Sequence, residues 1–216
     1  MIHQFNILVH VVAGTLALIV GTVVLISPKG GLTHVRWGRY FLYLLSMVIA
    51  TGFLGWLFFR SDPFLFLLTL LAGYNGYSGW RAVRLKRSWS TTADLWVATS
   101  VLSLGIVFLA FLHLENATWN PTLVYSTLGA LGLVTIYDIS KHLWLHSYLE
   151  GGWVYEHIYK IISAFSALLS AFAGNVLPAY QPLSQILPNI FCLLLIFTMI
   201  WRQALKRNER KIMSKA

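Results

Sequence analysis

Charge is scarce in this chain: Asp, Glu, Lys and Arg make up only 11% of its 216 residues, against roughly 25% in an average soluble domain. Hydrophobic residues make up 57%. A soluble fold of this length has too little interior to bury so much apolar surface, so lipid must take the remainder. Cysteine is almost missing. Cys192 stands alone in an apolar run, which excludes a disulfide framework and a thiol metal site. A Gly-rich phosphate loop, a Gly-x-Ser-x-Gly elbow and a Cys pair are all lacking, so the sequence signals for those chemistries are missing. The last apolar run holds no lysine, which removes a retinal Schiff base. The net charge of +9 invites nucleic acid as a partner, but the basic residues fall in short clusters between apolar runs. With no basic patch and no RNA motif, the expected partner is the bilayer and not nucleic acid.

What is present is a series of long apolar runs. A helix needs about 20 residues at 1.5 Å each to cross roughly 30 Å of hydrocarbon. Runs of that length lie near 5–26, 40–60, 64–84, 94–114, 121–141, 157–177 and 185–205. Lipid cannot satisfy backbone N–H and C=O groups, so each run must be helical. The connectors carry breakers: Pro28 with Gly30 and Gly31, Asp62-Pro63, Asn120-Pro121, Gly151-Gly152, and Pro178 with Pro182. The first run is too long for a signal h-region, lacks a basic n-region and precedes Lys29, so it reads as a span. The expected fold is an all-α bundle of seven membrane helices over residues 1–216, ending in a basic tail at about 203–216. The sequon Asn116-Ala117-Thr118 lies close to the membrane and matters only in a eukaryotic secretory pathway.

Lys and Arg set the direction. Lys29, Arg36, Arg39, Arg81, Arg84, Lys86, Arg87, Lys141, Lys160 and the tail cations Arg202, Lys206, Arg207, Arg210, Lys211 and Lys215 fall on one side of a seven-span chain; Arg60 falls on the other. The N-terminus is therefore expected outside and the C-terminus in the cytoplasm. Trp37, Trp56, Trp80, Trp119 and Trp201 sit near span ends, as an aromatic belt requires.

At 100° per residue, His10, Gly14, Ala17 and Gly21 fall within about 60° on one stripe of span 1, where small residues let helix backbones approach. Span 6 places Ser163, Ala164, Ser166, Ala167, Ser170, Ala171, Ala173 and Gly174 on one half of its wheel, which predicts a central position. Asn75, beside Gly73, Gly76 and Gly79, puts an amide near mid-bilayer that needs a partner. Span 7 has no charge between Asn189 and Arg202 and is expected to face lipid.

The run HVVAGTLALIVGTVVLISPKGGLTHVRWGRYF resembles the opening of a widespread family of predicted bacterial polytopic membrane proteins of unknown function. There a first-span His and Gly precede a Lys-Gly, a His and a Gly-Arg or Gly-Lys. The likeness continues in YNGYSGWRAVRLKR, in Asp94 opening the next span, and in EHIYKIISAFSALLSAFAGNVLP, so it covers most of the chain. The resemblance implies a multi-pass protein of the bacterial inner membrane with His10, His34, Asp94 and His157 at pattern positions. It brings no activity. Ile161 departs from it, since Met is common nearby, and His142 and His146 stand outside the pattern.

Several polar groups are candidates for chemistry. Spans 2, 4 and 6 begin on the cytoplasmic face, with His34 before span 2, Asp94 opening span 4 and Glu156-His157 opening span 6. Two imidazoles and a carboxylate can hold zinc or iron with a position open to water. Asp94 also follows Ser90, Thr91 and Thr92, where a helix cap is the ordinary role, and interfacial His residues ordinarily hydrogen-bond. Asp138, His142 and His146 repeat at i, i+4, i+8, a metal-ligand spacing in an amphipathic stretch where solvated His are common. His10 and His113, on spans 1 and 4 towards the outer side, are candidate axial ligands for haem. Tyr74 and Asn75 can line a transport path, although the spans lack the Pro-interrupted halves and buried charges of a transporter. The leading expectation is a metal- or haem-linked site, with His34, Asp94 and His157 as metal ligands and His10 and His113 as cofactor ligands. A non-catalytic small-molecule carrier or binder, and a scaffold that assembles with partner subunits or further copies, are the alternatives. Whether the chain is an enzyme is left open.

Overall fold

The computed structural model describes every residue except 60–62, 87, 115–119, 146–150 and 214–216. Arg60, Arg87, the sequon at 116–118, Trp119, His146 and Lys215 therefore lie outside the described residues. Among those described the chain is all-α, with seven helices: α1 (Ile2–Ile26), α2 (Leu32–Phe59), α3 (Pro63–Leu85), α4 (Thr92–Leu114), α5 (Pro121–Ser140), α6 (Trp153–Val176) and α7 (Leu183–Met213). A π-helical turn, Lys141–Leu145, prolongs α5.

The helix ends follow from local chemistry. Ser27 Oγ donates to the Val24 carbonyl at 2.9 Å, and Lys29 Nζ donates to the Val24 and Leu25 carbonyls at 3.0 and 2.6 Å. Together they satisfy the Val24 and Leu25 carbonyls in the last turn of α1. Gly30, at φ +79°, turns the chain back into α2. At the start of α4, Thr91 N donates to Asp94 Oδ2 at 2.7 Å and Asp94 N donates to Thr91 Oγ1 at 3.4 Å, a reciprocal cap of the Thr-x-x-acid type. Asn120 Oδ1 accepts from Leu123 N at 3.3 Å, and Pro121 occupies the first turn of α5, where its missing N–H costs nothing.

Six of these helices are long and apolar enough to cross a membrane; α3 falls short. Its second half reads Tyr74-Asn75-Gly76-Tyr77-Ser78-Gly79, too polar to face hydrocarbon. The packing explains this, because α2, α4, α5 and α6 all contact α3. Phe66, Leu67, Leu68, Ala72, Tyr74, Asn75, Ser78 and Ala82 are buried there. A helix wrapped by its neighbours is exempt from the apolarity that lipid imposes on the others.

Helix α6 lies beside α3, α7 and α1. Both halves of its wheel are buried in mid-helix, since Phe165 and Leu168 are covered along with Ala164, Ala167 and Ser170. Close approach is bought by glycine at three crossings, the one with α7 at Gly174, where an added Cβ would lie 2.6 Å from Gln185 Cγ. An added Cβ at Gly21 would lie 2.6 Å from the Phe165 ring, and one at Gly79 would lie 2.9 Å from Ile161 Cδ1. The span 1 stripe faces inward, with Ala17 fully buried and His10 Nδ1 2.8 Å from Thr51 Oγ1 of α2. On α7, Leu187, Phe191, Leu194 and Phe197 are exposed while Cys192 and Ile196 are buried, so one side only meets the bundle. Trp37, Trp80 and Trp201 are exposed. Trp56 instead stacks on Phe66 at 4.2 Å and meets Phe108 at 5.5 Å; it is part of an aromatic cluster joining α2, α3 and α4.

Candidate functional site

At one end of the bundle, the last turns of α3 and α5 meet the first turns of α4 and α6. These four helices enclose a polar cleft with about 40 Å³ of room for water-sized occupants. Three acids line it, paired with Arg81, Lys141 and Lys160, and Lys86 and His142 line it as well. Arg81 grips Asp94 with both ends of its fork, Nε to Oδ1 at 2.6 Å and Nη2 to Oδ2 at 2.7 Å. Tyr77 OH adds a bond to Oδ1 at 2.9 Å, and Thr91 Oγ1 one to Oδ2 at 2.7 Å. Deeper in the bundle, Lys160 Nζ donates to Asp138 Oδ1 at 2.6 Å and stands 3.7 Å from Glu156 Oε2. Lys141 Nζ donates to Glu156 Oε1 at 2.5 Å. Tyr74 OH donates to Asp138 Oδ2 at 2.6 Å and Tyr137 OH to Glu156 Oε1 at 3.2 Å. His142 Nδ1 and Ser90 Oγ, 2.8 Å apart, tie the π-helical turn to the start of α4.

Only 3% of the Lys160 side chain and 8% of Glu156 are exposed. Burying an ion costs several kcal/mol even after relaxation, and its partners must offset that. Here each carboxylate has a cation and a phenol or hydroxyl, so the network is charge-balanced within itself.

The expected ligand set of His34, Asp94 and His157 is not assembled. His157 Nδ1 lies 3.1 Å from the Gly79 carbonyl, and its ring centre is 6.4 Å from that of His34. Asp94 is held by Tyr77 and Arg81. On α3, residues 77 and 81 lie about 160° from residue 79 at 100° per residue. The two histidines and the aspartate thus occupy opposite faces of α3. Asp94 is at once a cap and an ion-pair partner. Among the described residues, no three His, Cys, Asp or Glu side chains gather around a metal position. His10 bonds to Thr51 on α2, whereas His113 Nδ1 bonds to the Leu109 carbonyl of its own helix at 2.9 Å, and its Nε2 is 3.5 Å from Tyr125 OH on α5. Asp138 and His142 share the cleft without sharing a partner, because Asp138 turns to Lys160 and Tyr74 while His142 turns to Ser90.

Reading the sequence for spans without buried charge overlooks Glu156, Lys160 and Asp138. Two signals bear on them: Glu156 and Lys160 stand at i, i+4 on one helix, and Asp138 falls three residues before Lys141 at the end of an apolar run. Counting Lys141 and Lys160 as free flanking charges hides both. No protein family, curated protein or solved structure matches the chain. The fold and site define a multi-pass helical membrane protein with an internal charge network.

Proposed function

We propose that the protein is a seven-span inner-membrane carrier or binder of a small polar solute, with the α3–α6 cleft as its binding site. The observation that supports it is a set of three acids and three cations, mutually paired across four helices, lining a cleft at one end of the bundle. Ionisable groups inside membrane proteins are costly and face substrate or ion paths by default. Apolar side chains of similar volume hold a fold at least as well as buried ion pairs do, so structure alone gives little reason to keep them. A solute bearing both charges can exchange with the internal pairs while leaving the net charge of the network unchanged. In this reading α3 is the seventh span, shielded by its neighbours, and the protein belongs with the bacterial proteins that its opening resembles.

The binding test is thermal unfolding of detergent-purified protein against millimolar zwitterions, dicarboxylates and diamines. At about 100 times Kd a ligand adds about 2.7 kcal/mol. One class of solute should raise the unfolding temperature of the wild type and leave that of Asp138→Asn unmoved. If no class does so, the cleft is a structural network and the carrier reading fails.

The orientation has its own check. The charge distribution supports a cytoplasmic position for the cleft, Lys29 and the end of α7, because each Lys or Arg opposes mid-membrane placement by roughly 2.5–3.5 kcal/mol. Reporter fusions after residues 88 and 212 should read cytoplasmic and one after residue 117 external. Disagreement between the first two removes the seven-span topology.

A further inference from the structure

His34 and His157 lie across α3 from the cleft, where the end of α1, the start of α2 and the start of α6 meet. Their hydrogen bonds assign the ring protons. A carbonyl can only accept, so His157 Nδ1, at 3.1 Å from the Gly79 carbonyl, carries a proton. His34 Nδ1 is 3.3 Å from both the Val24 carbonyl and Ser27 Oγ. Ser27 gives its own proton to Val24, so the imidazole is again the donor. In the neutral form each ring therefore keeps an unprotonated Nε2, which is the metal-binding form. A backbone carbonyl on the other ring nitrogen is the arrangement that orients metal-ligating histidines and raises their basicity.

The two rings are neighbours but not yet at sharing distance. The ring centres are 6.4 Å apart and the planes are inclined at 82°. Two imidazoles on one tetrahedral zinc-sized ion, with bonds of about 2.0–2.1 Å, place their centres about 5–5.5 Å apart, so the rings close by about 1 Å to share it. We propose that His34 and His157 form a two-imidazole site for a divalent transition-metal ion of the zinc class, completed by water or an anion.

Lys29 bears on which ion species fits. Its ammonium shares the Val24 carbonyl with His34, and its charge opposes a bare dication. It favours a metal that carries an anionic ligand into the positions the protein leaves open. With two protein ligands, the site binds more weakly than a structural zinc centre. It stands apart from the cleft, so its fate and that of the carrier reading are separate.

The test uses the full chain, free of any affinity tag, in detergent, with zinc chloride added in a calorimeter. Wild type should bind one zinc per chain. His34→Asn and His157→Asn should each weaken binding about tenfold or more, while His142→Asn, on the far side of α3, should not. Asparagine retains an N–H for the carbonyl, and a monodisperse elution profile shows that each variant folds. If one variant does not fold, the other decides. Cobalt(II) added to wild type checks the site without any variant: an intense visible ligand-field band that zinc abolishes supports it. Absence of saturable binding up to roughly 1 mM zinc, equal binding in the folded Asn variants, or the spectrum of free aqueous cobalt would overturn it.

Discussion

Replacing Lys160 with methionine is expected to destabilise the protein by about 3–5 kcal/mol, the range for removing one partner of a buried ion pair. Lys160 is 3% exposed and serves two carboxylates, Asp138 at 2.6 Å and Glu156 at 3.7 Å. Without it, Asp138 keeps only the Tyr74 hydroxyl and Glu156 keeps Lys141 and Tyr137. An anion left there has lost the cation that offset its desolvation. Removing the charge of its main partner as well should restore much of the loss, so Lys160→Met with Asp138→Asn should be more stable than Lys160→Met alone. Thermal unfolding in detergent, scored by the fraction eluting as a monodisperse peak, measures both. A loss below about 1 kcal/mol for the single variant would show that the carboxylates are neutralised by other means.

The second large effect is expected at Gly79, where α3 packs directly against α6. A Cβ there would lie 2.9 Å from Ile161 Cδ1 and 3.0 Å from both Ile161 Cγ1 and Lys160 Cβ. Leucine adds three more carbons beyond that clash, which drives the helices apart at a cost of at least about 1–3 kcal/mol. The displacement also moves the Gly79 carbonyl that holds His157. Gly129 on α5 is the control, since an added Cβ meets nothing within 4 Å. Gly129→Leu should change stability by no more than about 0.5 kcal/mol. Equal losses at the two positions would mean that the α3–α6 approach is not a tight contact.

Much of the helical framework is legible in the residues. Lipid removes every alternative to a helix, so a long apolar run reports a helix directly. The breakers Pro28, Gly30, Asn120 and Pro121 mark ends that capping bonds then occupy. Helix α3 is the instructive exception. Its first half is as apolar as any span, but its second half carries Asn75, Tyr74, Tyr77 and Ser78 because α2, α4, α5 and α6 stand between it and lipid. Hydropathy measures the surroundings a helix tolerates, and most of α3 is surrounded by protein.

The site was less legible, for a geometric reason. Asp94 and His157 open helices at one end of the bundle, and that much follows from span counting. Whether they meet depends on which face of α3 each one approaches, and two residues of displacement along a helix turn a side chain by about 200°. Tyr77 and Arg81 draw Asp94 to one face, while Gly79 receives His157 on the other. Lys160 shows the same limit. Its place beside a span end suits a flanking cation, and only the approach of α5 brings Asp138 to it.

By itself, then, the sequence determined that this chain forms long apolar helices, where the chain breaks between them and which residues are polar enough to require partners; α2 starts at Leu32 and α7 runs to Met213, both beyond the apolar runs at 40–60 and 185–205. Those properties follow from local chain chemistry and from the solvent, which act on each segment alone. Tertiary structure decided which partners they found: Lys160 with Asp138, Arg81 with Asp94, His157 with the Gly79 carbonyl. Helix order and rotation set those pairings. They depend on the fit of side chains between segments far apart in the chain, such as Gly79 against Ile161, which no single segment encodes.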